Sequence, residues 1–253
     1  MDAALVTGAS AGLGVIFAKR LAEQKQNLVL VARRKDKLEE LAAQLRKTHG
    51  ISVVVEVADL SARGVVPIVM KRLAANKISI TTLINNAGFT LNGLFAELDM
   101  AKQQEMIDLN CGALVQLCHA ILPDMKFRSG GGILNVASTA AFQAGPRMAV
   151  YYATKAFILS FSEALHDEVK PFGIRVSCLC PGPTQTDIFA TSNSSNIRLA
   201  KIAGKPEKVV DDGLAALKRN QAFVVSGLQN KVLAQSTRFI PRAVSRFIAK
   251  SLQ

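Results

Sequence analysis

The chain contains no tryptophan, only three histidines and only four cysteines, and each shortage narrows what it can be. His49, His119 and His166 are scattered, and Cys111, Cys118, Cys178 and Cys180 form no Cys-x-x-Cys pair, so no metal site is expected. Cys178 and Cys180 alternate along one predicted strand, share a face and are poorly placed to bridge each other. All four read as reduced, mostly buried thiols of a reducing compartment. No apolar run approaches the length of a membrane span. The first strand starts almost at Met1, so no signal peptide is expected and the default location is the cytoplasm. Acidic residues are also short, with 19 Asp and Glu against 31 Lys and Arg and a net charge of +12. The excess is uneven: from Arg198 onward 11 Lys and Arg meet only Glu207, Asp211 and Asp212. A basic tail can attract an acidic substrate, a carrier protein, a membrane surface or nucleic acid, or it can be a solvated face. No recognised nucleic-acid motif or aromatic platform accompanies the charge, so no nucleic-acid partner is expected.

What the chain has is apolar substance and alternation. Apolar residues make up 49% and charged residues 20% of 253, which excludes disorder and suits one α/β domain better than two. Short β-branched runs predict strands at Ala3–Thr7, Leu28–Ala32, Ser52–Val57, Thr82–Asn85, Ile133–Ala137, Ile174–Leu179 and Ala222–Val225. Between them lie helical patterns: Gly12 to about Lys25, Lys35–Lys47, a helix carrying Ile68 and Leu73 that Ser61 could cap, a long helix from Met100 to Phe127, Ala149–Val169 and Pro206–Lys218. Alternating strands and helices predict βαβ units, hence a doubly wound Rossmann-type domain with a parallel sheet of about seven strands and its ligand site at the carboxyl ends. Pro183–Lys205 reads as polar and irregular.

The first strand runs into Thr7-Gly8-Ala9-Ser10-Ala11-Gly12-Leu13-Gly14, and a helix follows at once. Glycines there allow a tight turn and close approach of backbone to a pyrophosphate, with the free N–H groups of the helix start facing the anion. The second strand ends in Arg33-Arg34, where an NAD enzyme carries an acidic residue for the ribose. A guanidinium pairs with a 2′-phosphate that a carboxylate would repel, so NADPH is expected over NADH. Tyr151 and Lys155 are four apart on a predicted helix and can address one site. A phenol titrates near pH 10, roughly, and a nearby ammonium would lower it towards the working range. Tyr152 is expected to point elsewhere.

The glycine spacing resembles that of the short-chain dehydrogenase/reductase family, and further motifs follow in that family's order. Ser138, just past the fifth strand, matches the Ser that binds the substrate carbonyl, with Thr139 a weaker candidate. Asn110, inside the long helix, matches the fourth member of a Ser–Tyr–Lys–Asn tetrad and is implied to hold a water linking Lys155 to solvent. Asp59 and Leu60 match the adenine contact. Asn85-Asn86-Ala87-Gly88 matches the lining of the cofactor cleft. Pro181-Gly182-Pro183-Thr184-Gln185-Thr186 matches the segment gripping the nicotinamide carboxamide and pyrophosphate. Gly8, Ser10, Gly12, Leu13 and Gly14 complete the implied cofactor set. One departure is Ala11, at a position often basic in NADPH-preferring members, so Arg33 and Arg34 carry that expectation alone.

The resemblance implies reversible hydride transfer between NADPH and a carbonyl or secondary alcohol, in a homodimer or homotetramer packed through the helices around 100–127 and 149–169. A catalytically silent NADPH-sensing protein is the alternative; such proteins usually lack the Tyr or the Lys. The substrate is expected to be set by 140–147 and the loop 183–205, where Phe142, Met148, Ile188 and Phe189 suggest an apolar body: a ketone, a steroid-like molecule or a 3-oxoacyl group. Arg238, Arg242, Arg246 and Lys250 recur every four residues beside an apolar face, so 238–252 reads as a basic amphipathic helix past Pro241. It would pack on the fold or a second subunit, or make weak contact with a membrane surface.

Overall fold

The structure is a computed structural model that describes residues 1–184, 204–237 and 239–251. Seven strands form one parallel sheet: β1 (Asp2–Thr7), β2 (Leu28–Ala32), β3 (Val53–Val57), β4 (Ser79–Asn85), β5 (Gly131–Val136), β6 (Ile174–Cys180) and β7 (Phe223–Val225). Their order is β3-β2-β1-β4-β5-β6-β7, so the winding reverses between β1 and β4 and opens a crevice at their carboxyl ends. The domain is the expected single doubly wound Rossmann-type one.

The strands are buried on both faces, which is why they read as continuous apolar runs rather than alternating ones. All five residues of β2 are buried. In β1, Ala4 and Val6 join one core, and Ala3 and Leu5 join the other. The first core lies under α1 (Gly12–Glu23), α2 (Lys35–His49) and α7 (Pro206–Lys218), which contribute Phe17, Leu38 and Val210. Helix α2 illustrates the coding: Leu38, Leu41, Ala42 and Leu45 face inward, and Gly50 in the left-handed region at φ 65° ends the helix. The second core lies under α3 (Val65–Ala75), α5 (Leu114–Phe127) and α6 (Ala149–Val169), and α4 (Met100–Ile107) packs against α6 ahead of α5. Two further helices follow β7: α8 (Leu228–Ser236) and α9 (Arg242–Ser251).

Three expectations need correction. Ser61 does not cap α3, whose N-cap is Gly64 at φ 77°. Its backbone N–H and hydroxyl both donate to Asp59 Oδ1, at 3.1 and 2.6 Å, so the serine is consumed by the local turn. Of the two residues that marked this helix, Leu73 is buried and Ile68 is exposed. The long helix is not one α-helix either. It widens into a π-helical turn at Asp108–Ala113 between α4 and α5, with Asn110 inside that turn. By length and hydropathy the 28-residue stretch Met100–Phe127 could cross a bilayer, which the sequence reading missed. In this fold its α5 part is a core helix, burying Leu114, Leu117, Cys118, Ile121 and Met125 against the sheet.

Candidate active site

The turn after β1 is shaped by close backbone approaches. Gly8 and Gly12 have φ of 66° and 54°, which favour glycine. A Cβ at Gly14 would lie 2.2 Å from the Gly8 carbonyl oxygen, so only glycine lets α1 start this close to β1. No side chain caps α1, and its first turn holds no acidic residue, so its N-terminal N–H groups stay available to an anion. Thr7 fixes the neighbouring β4 turn: its hydroxyl oxygen accepts from the N–H groups of Asn86 and Ala87, both at 2.9 Å. Asn86 Nδ2 donates back to the Thr7 carbonyl at 2.9 Å.

These turns floor a groove of about 350 Å³. Gly8, Ser10, Gly12 and Leu13 line one side; Asn86, Ala87 and Gly88 line the other. Arg33, Arg34, Asp59 and Leu60 close its outer end. Arg34 is anchored on the glycine turn, donating from Nη2 to the Ser10 carbonyl at 2.9 Å. Arg33 reaches Glu105 at 3.3 Å and Asp59 at 3.8 Å. Burial works to raise the Asp59 carboxyl, but the two Ser61 bonds and the Arg33 and Lys102 charges outweigh it and hold the group below its ordinary value. The residues present fit a nicotinamide dinucleotide: an open helix N-terminus, glycine approaches that any Cβ would fill, and two guanidiniums where a 2′-phosphate would lie.

Leu13, Asn86, Gly88 and Phe89 also line a second, more apolar cavity of about 230 Å³ over the ends of β5 and β6. Ser138, Tyr151 and Lys155 converge here with Pro181, Gly182 and Thr184. The Ser138 hydroxyl is within hydrogen-bond reach of the Tyr151 phenol. Lys155, buried, donates from Nζ to the Val136 carbonyl at 3.0 Å and stands 5.7 Å from the Tyr151 ring centroid. The electrostatics correct the sequence expectation. Burial drives the phenol up to about 12, with the Ser138 bond opposing it, so the ammonium does not bring it towards neutrality in this arrangement. The same burial brings Lys155 down to about 8. Both shifts disfavour charge, and the phenol is a proton donor at neutral pH.

Asn110 is 1% exposed and fully engaged. Its Nδ2 donates to the Phe89 carbonyl at 3.2 Å and to Thr154 Oγ1 at 3.1 Å, and its Oδ1 accepts from Phe89 N–H at 3.2 Å. The visible role is a clamp joining the β4 turn to α6; the π-helical turn supplies the reach. A Cβ at Gly88 would sit 2.8 Å from Asn110 Oδ1 and 3.8 Å from Lys155 Nζ, so that glycine lets the turn close over both. Behind the site, Asn85 Nδ2 donates to Asn135 Oδ1 and Asn135 Nδ2 to Ser162 Oγ, each at 2.9 Å. This buried chain ties α6, the carrier of Tyr151 and Lys155, to β4 and β5.

A family model described as short chain dehydrogenase matches residues 2–197. The chain belongs to the short-chain dehydrogenase family. It is thus an oxidoreductase acting on CH–OH or C=O groups with a nicotinamide cofactor. Among curated relatives, the 3-oxoacyl-[acyl-carrier-protein] reductase FabG of Chlamydia muridarum is 30% identical, over 89% of this chain and 93% of that one. Among solved structures, a short-chain dehydrogenase from Sphingobium yanoikuyae in complex with NADPH has a TM-score of 0.83 at 32% identity, covering 94% of each chain. The bulky-bulky ketone specific alcohol dehydrogenase from Comamonas testosteroni has a TM-score of 0.80 at 30% identity, covering 96% of each chain.

The substrate cavity departs from the sequence reading in two ways. Tyr152 does not point away: it lines the same cavity, its ring packed against Gly145 and edge-on to Tyr151 at 6.1 Å. Helix α8 was not foreseen at all, yet Asn230, Leu233, Ala234 and Thr237 from α8 and the residue that follows it form a wall of the cavity. Gly182 makes room for that wall, since a Cβ there would lie 2.3 Å from Asn230 Nδ2. Phe142, Thr139 and Met148 line the cavity. Of the loop 183–205, the described ends meet in a bridge between Thr184 and Gly204. Thr186, Ile188 and Phe189 lie outside the described residues.

Proposed function

We propose that this dehydrogenase uses NADPH to reduce a ketone or 3-oxoacyl carbonyl carried on an apolar body, in a reversible reaction. The observation that carries the reading is the junction of the two cavities: Ser138, Tyr151 and Lys155 open into an apolar pocket that shares Leu13, Asn86, Gly88 and Phe89 with the dinucleotide groove. When bound, the cofactor supplies or accepts the hydride at the carbonyl carbon. Ser138 and Tyr151 donate hydrogen bonds to the carbonyl oxygen, where negative charge develops. Tyr151 gives up its proton to that oxygen, and its raised value keeps that proton in place across the neutral range. Lys155 balances the phenolate that results and would hold the cofactor ribose. Asn110 keeps the β4 turn and α6 in register and supports the proton path at Lys155.

The choice of NADPH rests on Arg34, fixed over Ser10, and on Arg33 at the groove's outer end. Two relatives support the substrate type: one is a 3-oxoacyl-[acyl-carrier-protein] reductase, another a bulky-bulky ketone specific alcohol dehydrogenase. The silent-sensor alternative draws no support from a site in which Ser138, Tyr151 and Lys155 converge. Four free thiols support a reducing, cytoplasmic setting. A homodimer or homotetramer through α4–α5 and α6 is part of the proposal, supported by the exposed Phe157 stacked on Phe161 at 6.0 Å. Light scattering of wild type and Phe157→Glu tests the assembly. The function is tested by NADPH oxidation against matched panels of bulky ketones, 3-oxoacyl thioesters and small aldehydes. Turnover of the bulky apolar members is expected; turnover confined to small polar carbonyls would refute the substrate reading.

A further inference from the structure

The end of the chain concentrates exposed apolar side chains in a short stretch. Sixteen large hydrophobic side chains are exposed among the described residues, and six of them fall between Leu228 and Phe247. Phe239 is 87% exposed and Phe247 74%. Helix α9 explains part of this. It is strongly amphipathic, with Val244 and Phe247 on one side and Arg242 and Arg246 on another. An amphipathic helix that simply packs on its own domain buries the apolar side. Among the described side chains of α9, Ala249 is buried while Val244 and Phe247 face outward. Helix α8 repeats the theme one short turn earlier, with Leu228, Val232 and Leu233 exposed and Lys231 among them.

Charge narrows what can cover such a surface. No Asp or Glu occurs after Asp212, while Lys218, Arg219, Lys231, Arg238, Arg242, Arg246 and Lys250 all do. A second copy meeting this face across a two-fold axis would set the basic stripe against itself. A negatively charged, partly apolar surface satisfies both features at once: cations meet the head groups, and the exposed phenylalanines enter the boundary below them.

We propose that α8 and α9 form a docking element for an anionic lipid bilayer. Leu233 belongs to both this exposed set and the wall of the substrate cavity, so the docked face lies beside the mouth of the pocket. An apolar substrate would then reach Tyr151 from the lipid phase rather than from water. The docking itself depends neither on turnover nor on which carbonyl is reduced.

The test is flotation of the full chain with vesicles of phosphatidylcholine alone and of phosphatidylcholine mixed with phosphatidylglycerol. The proposal predicts flotation with the mixed vesicles, little with the neutral ones, and release by salt. Phe247→Glu and the double variant Arg242→Gln/Arg246→Gln should each weaken partitioning about tenfold or more at an unchanged melting temperature. Three results would overturn it. One is no flotation of wild type with either vesicle. Another is equal flotation of wild type and both variants. The third is a Phe247-dependent oligomer, or capture of an acidic acyl carrier protein, without flotation; that would give the face to a protein partner.

Discussion

The two cavities at the carboxyl edge of the sheet are built by different means. The floor of the dinucleotide groove is made of backbone: turns after β1 and β4, drawn together by glycines and by Thr7 and Asn86, with the Arg33 and Arg34 side chains only at its outer end. The substrate pocket is made of side chains from distant segments, including Tyr152, Phe142, Asn230 and Leu233. A groove of backbone tolerates almost no change at its glycines and serves one ligand. A pocket of side chains can be reshaped without touching the groove.

The sharpest way to break the comparison is at Gly14. Gly14→Val forces atoms into the Gly8 carbonyl, 2.2 Å from where a Cβ would lie, so NADPH affinity should fall at least about 100-fold, read by fluorescence titration. Retained affinity would mean that the groove is softer than its glycines imply. Lys155→Met separates stability from function. Turnover should drop by roughly two to three orders of magnitude, while stability at pH 7 rises, because a buried ammonium is removed. The sign follows from linkage. Lys155 sits at about 8 in the fold against an ordinary lysine value of 10.5, so its destabilising effect is complete below pH 8. That effect fades as pH climbs towards 10.5, where the unfolded chain also loses its proton. The gain should be on the order of 1–3 kcal/mol at neutral pH and vanish near pH 10.5, as urea melts across pH would measure.

Smaller effects test the two walls separately. Arg34→Ala should weaken NADPH by about 10-fold or more and leave NADH nearly unchanged; equal losses would remove Arg34 from 2′-phosphate recognition. Leu233→Ala should alter KM for bulky ketones by roughly 3- to 10-fold with NADPH affinity intact. If both ligands weakened together, groove and pocket would not be independent.

The same division explains how much could be read from the chain. Local signals sufficed for the groove, because Gly8, Gly12 and Gly14 lie within seven residues of one another and Arg33-Arg34 end a strand that is apolar throughout. Tyr151, Lys155 and Ser138 were also legible, being fixed by helical spacing and by a strand end. What escaped depended on packing between distant parts. Asn110 was found, but its role as a clamp on Phe89 depends on a π-helical turn that leaves no mark in composition. Tyr152 was set aside because adjacent helical residues diverge; the cavity is wide enough to use both rings. Helix α8 follows Gly227 and has Leu228 and Val232 four apart, yet its remaining residues are mixed, so nothing local tied Asn230 to Gly182. The Ser61 cap failed because α3 starts only after Gly64, three residues further on, while Ser61 turns back to Asp59.

The central claim is that Tyr151 donates the proton while the backbone groove independently holds the cofactor. The direct measurement compares wild type with Tyr151→Phe for kcat on an accepted ketone and for the NADPH dissociation constant in the same preparation. The account predicts a loss of at least about 1000-fold in kcat with NADPH affinity within about 3-fold of wild type. A variant that keeps wild-type turnover would contradict it outright.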